Sequence, residues 1–307
     1  MKPSLSIRSA NLLYLLTMLL VITLGSAMQL LNLSVGLIAT EVLLILLPTL
    51  VFLKRQGIPF KEGLGLTPIR PLTALVSLLL GFTVFLFSIY IEAVMAALSG
   101  MASVPAPSGS LPAGPLESAL YFIALAVFAP LCEETLFRGT LQPAYANRKS
   151  ARFAITITAL LFAFYHFRLS GLPGLIPAAF VLGYVAWRTR SIYASMLVHL
   201  GLNATSAAHT LVALNVNGTG LPLLSPGWAL AGLLGCAALL LLLGRLHPLP
   251  ETAPALPDAP PRRSWLYTYW PLTLAGLLYL GVAGLTLWSA LTPASRGCAL
   301  RGHGVSW

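Results

Sequence analysis

The amino-acid sequence predicts an all-α fold, a polytopic transmembrane helical bundle of about nine spans with its N-terminus in the cytoplasm. Three observations predict it. The 307 residues are 57% hydrophobic and 8% charged, with a mean hydropathy of +0.86, whereas an ordinary soluble domain carries about 25% charged residues. Apolar runs of about 20 residues, the length that crosses a bilayer, recur along the chain. The Lys and Arg residues gather in alternate connecting segments.

Taken in order, the first run (10–31) follows Lys2 and Arg8. It is long for the apolar core of a secretion signal, and a second run (34–53) follows almost at once, so it reads as an uncleaved anchor. A third run covers 72–98, and residues 99–116 form an uncharged loop rich in Pro, Gly and Ser. Runs at 117–141, 152–168, 174–189, 192–213 and 227–245 follow. The prolines at 248, 250, 254, 257, 260 and 261 make 246–265 an extended, semi-rigid linker. A last run, 267–291, lies beyond it. The chain thus divides into N-terminal helices and an outer loop (1–116), a core (117–213), an additional helix (214–245), the linker (246–265), and a C-terminal helix and tail (266–307) that reads as an appendage. No fixed-period repeat is visible.

With the N-terminus inside, nine spans place 1–9, 54–71, 142–151, 188–191 and 245–265 in the cytoplasm. Those segments and the adjoining span ends hold fifteen of the eighteen Lys and Arg residues; Arg168, Arg296 and Arg301 fall opposite. This is the positive-inside bias. The net charge of +10 is therefore topology rather than nucleic-acid binding, and the expected partners are the lipid bilayer and a membrane-embedded or membrane-associated peptide. Cys132 and Cys236 lie in spans and Cys298 in the tail, without a disulfide framework or a CxxC pattern. Cys132 reads as a small core thiol.

Spans 1, 2 and 8 read as nearly pure lipid-facing helix, whereas 117–210 carries ionisable side chains inside its spans. Such residues are costly in a membrane, by roughly 2.5–3.5 kcal/mol each on insertion scales, and face a cavity or a partner. Glu134 and Arg138 stand at i,i+4 with the acid first, the favourable order for an intrahelical ion pair. Glu133 points about 100° away and has no such partner, which makes it the freer carboxylate and the candidate base. If 117–141 and 152–168 are antiparallel about the basic turn at 148–152, Glu133 and His166 lie at similar depth, roughly 20 Å along each helix. On the seventh span, counted from Arg190, Asn203 reaches about 20 Å and His199 about 13 Å. Asn203 is thus expected level with Glu133, and His199 one turn nearer the cytosol. Ser195, His199, Asn203, Ser206 and Thr210 form a polar stripe expected to face a hydrated cavity. Phe162, one turn before His166, is an apolar wall, and Ala179 and Gly183 give small-xxx-small packing. His209, His247 and His303 read as bystanders. One Glu and two His would supply three zinc ligands, but no HExxH helix is present and they come from three helices.

Together these segments resemble the CAAX protease and bacteriocin-processing (CPBP, or Abi) family of intramembrane endopeptidases. Glu133-Glu134, three residues, then Arg138 matches its first motif; Phe162, three residues, then His166 its second; His199, three residues, then Asn203 its third. The resemblance covers about 117–210. It implies peptide-bond hydrolysis within the membrane, with Glu133 and His166 activating a water and His199 and Asn203 donating to the oxyanion. Glu134 and Arg138 would brace the helix or help place substrate. No cofactor is expected, with zinc as the alternative. The short loops and Ala/Leu/Pro-rich composition point to a bacterial inner membrane, where prenylated substrates are not expected. Peptide-pheromone maturation, bacteriocin immunity and cleavage of a membrane regulator stay open as roles. So do two other classes, a non-catalytic membrane scaffold or immunity protein, and a small transporter.

Overall fold

The computed structural model describes residues 4–99, 112, 114–169, 171–215, 225–248 and 264–291. Most of the outer loop, the 249–263 part of the proline-rich linker, and Arg296, Cys298, Arg301 and His303 lie outside the described residues. Every regular element among the described residues is helical. We number the long helices α1 (Ile7–Leu31), α2 (Leu33–Arg55), α3 (Pro71–Ser99), α4 (Gly114–Ala146), α5 (Ala151–Tyr165), α6 (Leu172–Thr189), α7 (Ile192–Asn215), α8 (Pro226–Leu246) and α9 (Trp265–Leu291). Seven of them, all but α5 and α6, are long and apolar enough to cross a membrane. The protein is a multi-pass membrane protein. The expected count of nine is not confirmed, since α5 is shorter and α6 is not among the seven.

Caps set several of the ends. Ser6, Asn32, Ser150 and Ser225 each accept a backbone N–H three residues on, at the starts of α1, α2, α5 and α8. Four wider, π-helical turns interrupt the regular helices: Val21–Gly25 in α1, Thr40–Leu46 in α2, and Ala124–Phe128 and Phe137–Leu141 in α4. Three of these have a proline just beyond them, Pro48, Pro130 and Pro143. A proline inside a helix has no N–H to give and its ring pushes away the carbonyl one turn back. The backbone upstream accommodates this by widening.

Helix α4 runs through the middle, packed by α1, α2, α5 and α7, while α3 carries α6, α7 and α8 on its other flank. The α3–α7 contact is backbone to backbone: a Cβ on Gly81 would run into Val198 O, and one on Gly201 into Leu78 O. Small residues are what allow helices to approach this closely in a membrane. Helix α9, expected as an appendage, is docked. It packs along α1, its Thr268 O accepts a hydrogen bond from Asn11 Nδ2 at 3.0 Å, and Tyr279 contacts Phe164 and Phe167.

Candidate active site

Glu134 and Arg138 form the ion pair that their spacing suggested, Nη1 to Oε1 at 2.8 Å, with both side chains fully buried. Arg138 Nη2 donates to Ala179 O at 3.0 Å, and its guanidinium lies 4.4 Å from the centre of the Phe162 ring, a cation–π contact. One turn on, Gln142 Nε2 donates to Gly183 O at 2.9 Å. The two small positions on α6 are thus where its carbonyls meet the polar side chains of α4.

Glu134 has a second partner, His199 Nδ1, at 3.0 Å. An ionised carboxylate only accepts hydrogen bonds, so Nδ1 carries a proton and Nε2 faces away from Glu134. Nε2 lies 3.8 Å from Glu133 Oε2. Phe162 joins these groups, its ring 5.6 Å from that of His199 and 4.8 Å from that of His166.

Glu133 is only 7% exposed, and its Oε2 has no hydrogen-bond partner. It lines a cavity of about 320 Å³ with His166, Tyr165 and Phe167 from the end of α5, Val21, Ile22, Ser26 and Gln29 from α1, and Thr40, Glu41 and Ile45 from α2. Val282 of α9 completes the wall. His166 stands at the C-terminal cap of α5, with Nδ1 2.9 Å from Phe162 O. A carbonyl only accepts, so Nδ1 is the donor and Nε2 of the neutral ring is left as an acceptor. The next residue, Phe167, takes a left-handed backbone (φ 51°), a conformation that bulky residues adopt at a cost and often at functional positions.

Two expectations are corrected. His199, not Asn203, is level with Glu133; Asn203 Nδ2 instead donates to Leu125 O at 2.9 Å, in the π turn upstream on α4. Straight-helix arithmetic assumed regular helices of similar tilt, and α4 carries π turns at Ala124–Phe128 and Phe137–Leu141. The polar stripe on α7 does not line the cavity of Glu133 and His166 either. It reads onto α4, with His199 on Glu134, Asn203 on Leu125 O and Thr210 on Tyr121. Neither His199 nor Asn203 lines the cavity that Glu133 and His166 share.

Glu41 was missed. Span 2 is not purely lipid-facing: Glu41 is 7% exposed, and its Oε2 is buried without a hydrogen-bond partner. The signal was a lone acid within an apolar span. Cys132 is a fully buried free thiol. Among the bystanders, the His209 ring packs on Phe85 and His247 Nε2 lies 3.0 Å from Thr73 Oγ1. Among the described residues no group of three or more His, Cys, Asp or Glu is placed to hold a metal ion.

Residues 115–205 match the family model described as Rce1-like, type II CAAX prenyl endopeptidase Rce1-like. This shows the resemblance to the CAAX protease and bacteriocin-processing family for the segment that holds all three motifs. No curated protein and no solved structure matches the chain.

Proposed function

We propose, on the premise of that family match over 115–205, that the protein is an intramembrane endopeptidase of the bacterial inner membrane. It hydrolyses a peptide bond of a membrane-associated protein or peptide, without a metal cofactor. One observation carries the reading. Of two adjacent buried acids, Glu134 is held by Arg138 and His199, whereas Glu133 Oε2 accepts no hydrogen bond and shares a cavity with His166.

In this reading Glu133 takes a proton from a water in the cavity, and the hydroxide attacks the scissile carbonyl. The Nε2 of His166 accepts a hydrogen bond from the same water and orients it. Phe162 O fixes that ring through Nδ1, which leaves Nε2 free to accept. The oxyanion is stabilised by His199, whose Nε2 lies 3.8 Å from Glu133 Oε2. With Nδ1 held by Glu134, His199 donates to an oxyanion only as the doubly protonated ring. Asn203, held on Leu125 O and outside the cavity lining, positions α7 against α4 rather than meeting the oxyanion. On collapse, the leaving amine takes the proton from Glu133.

The test uses purified protein in proteoliposomes with a set of single-pass membrane peptides, read by mass spectrometry. Glu133→Gln and His166→Ala should each lower cleavage by about 10²–10⁴-fold, and wild-type cleavage should survive chelation. Cleavage that persists in both variants would sink the mechanism. Activity lost to chelator and restored by zinc would replace it with the metal-dependent version.

A further inference from the structure

Glu41 belongs to none of the three motifs, and it lies outside the segment matched by the family model. Yet it occupies the same cavity as Glu133, buried, with Oε2 unpartnered. Two polar neighbours are engaged with each other: Gln29 Nε2 donates to Thr40 Oγ1 at 3.2 Å, and Thr40 Oγ1 donates to Gly36 O at 2.7 Å. No Lys or Arg is among the lining residues. The nearby cation, Arg138, is committed to Glu134, Ala179 O and the face of Phe162.

The cavity thus presents two acidic side chains with no Lys or Arg in its lining and His166 as its basic side chain, in a low-dielectric setting where an uncompensated acid is costly. A ligand that brings a cation offsets that cost through charge-assisted hydrogen bonds. The remaining walls suit the stem of such a group. Val21, Ile22, Ile45 and Val282 are apolar, and Lys and Arg lay their methylene stems along apolar surface while the charged head finds a polar partner.

We propose that Glu41 is a specificity-determining residue, receiving a Lys or Arg side chain of the substrate close to the peptide bond that Glu133 hydrolyses. The proposal rests on the endopeptidase reading and narrows its substrates to segments with a basic residue near the cleavage site.

Two measurements test it. The first compares pairs of membrane peptides, identical except for Arg or its neutral isostere citrulline in the segment beside the membrane. Wild type should cleave the Arg peptides at least about tenfold faster, a factor equivalent to about 1.4 kcal/mol, and Glu41→Gln should abolish that ratio. An unchanged ratio in Glu41→Gln overturns the proposal. So does an equal loss on both peptides, since the carboxylate would then serve the reaction itself. The second measurement needs no turnover: n-butylguanidinium, but not N-butylurea, should raise the thermal unfolding midpoint of wild type and Glu133→Gln, and not that of Glu41→Gln. No difference between the two compounds on wild type overturns the cation site. If no peptide is cleaved while the guanidinium shift depends on Glu41, the cation site stands and the endopeptidase reading falls.

Discussion

Arg138 makes its contacts in three directions: an ion pair to Glu134, a hydrogen bond to the backbone of α6, and a stack on Phe162. Removing one member of a buried pair leaves a charge without compensation, which costs about 3–5 kcal/mol. Arg138→Met should therefore lower the unfolding midpoint in detergent sharply. Arg138→Lys should recover little, because an ammonium has no planar fork to span the carboxylate and the carbonyl while lying on a ring. A Lys variant as stable as wild type would show that the charge alone matters. The division between Glu133 and Glu134 was legible in the sequence, because it follows from which acid stands four residues before Arg138. Glu41 was not, since a single acid in an apolar run has no local partner to give it a role. Only the fold brings it opposite Glu133.

At the level of elements, the site is built where helices depart from regularity. Glu41 lies in one π turn, Arg138 in another, and Leu125, the acceptor for Asn203, in a third. Such turns often mark functional positions. The helix limits themselves were close to legible, since apolar runs and caps are local. The depth of Asn203 was not, because counting along regular helices leaves out both the π turns of α4 and the way α7 packs on it. The α3–α7 seam is equally sensitive. Gly81→Ala puts a Cβ against Val198 O, next to His199, and the helices must part to admit it. The expected loss is about 1–3 kcal/mol, accompanied by reduced cleavage. Gly276→Ala on α9 meets nothing within 4 Å and should stay within about 0.5 kcal/mol of wild type. Equal midpoints for the two variants would mean that the seam is not under this constraint.

For the molecule as a whole, the expected orientation follows from charge and is open to direct measurement. In a background without other cysteines, Lys149→Cys should react with an impermeant maleimide from the cytoplasmic face only, and Leu31→Cys from the opposite face only. The reverse pattern would invert the topology and with it the side from which the cavity is reached. The general architecture, a bundle of apolar helices with its ionisable groups gathered in the middle of the chain, was legible because composition alone demands it. The docking of α9 was not. It depends on Asn11 meeting Thr268 O and on Tyr279 meeting two rings of distant helices, and no local pattern encodes pairings so far apart.

That docking also sets an order in time. A chain made from its N-terminus has produced Glu41, Glu133 and His166 well before residue 282 leaves the ribosome. Until then the cavity lacks the wall that Val282 provides. Because N-terminal parts of a chain fold as synthesis proceeds, the two carboxylates are assembled in a cleft that is still open on one side. A cavity whose wall is closed by α9 takes its final shape late, after α1 to α7 are in place.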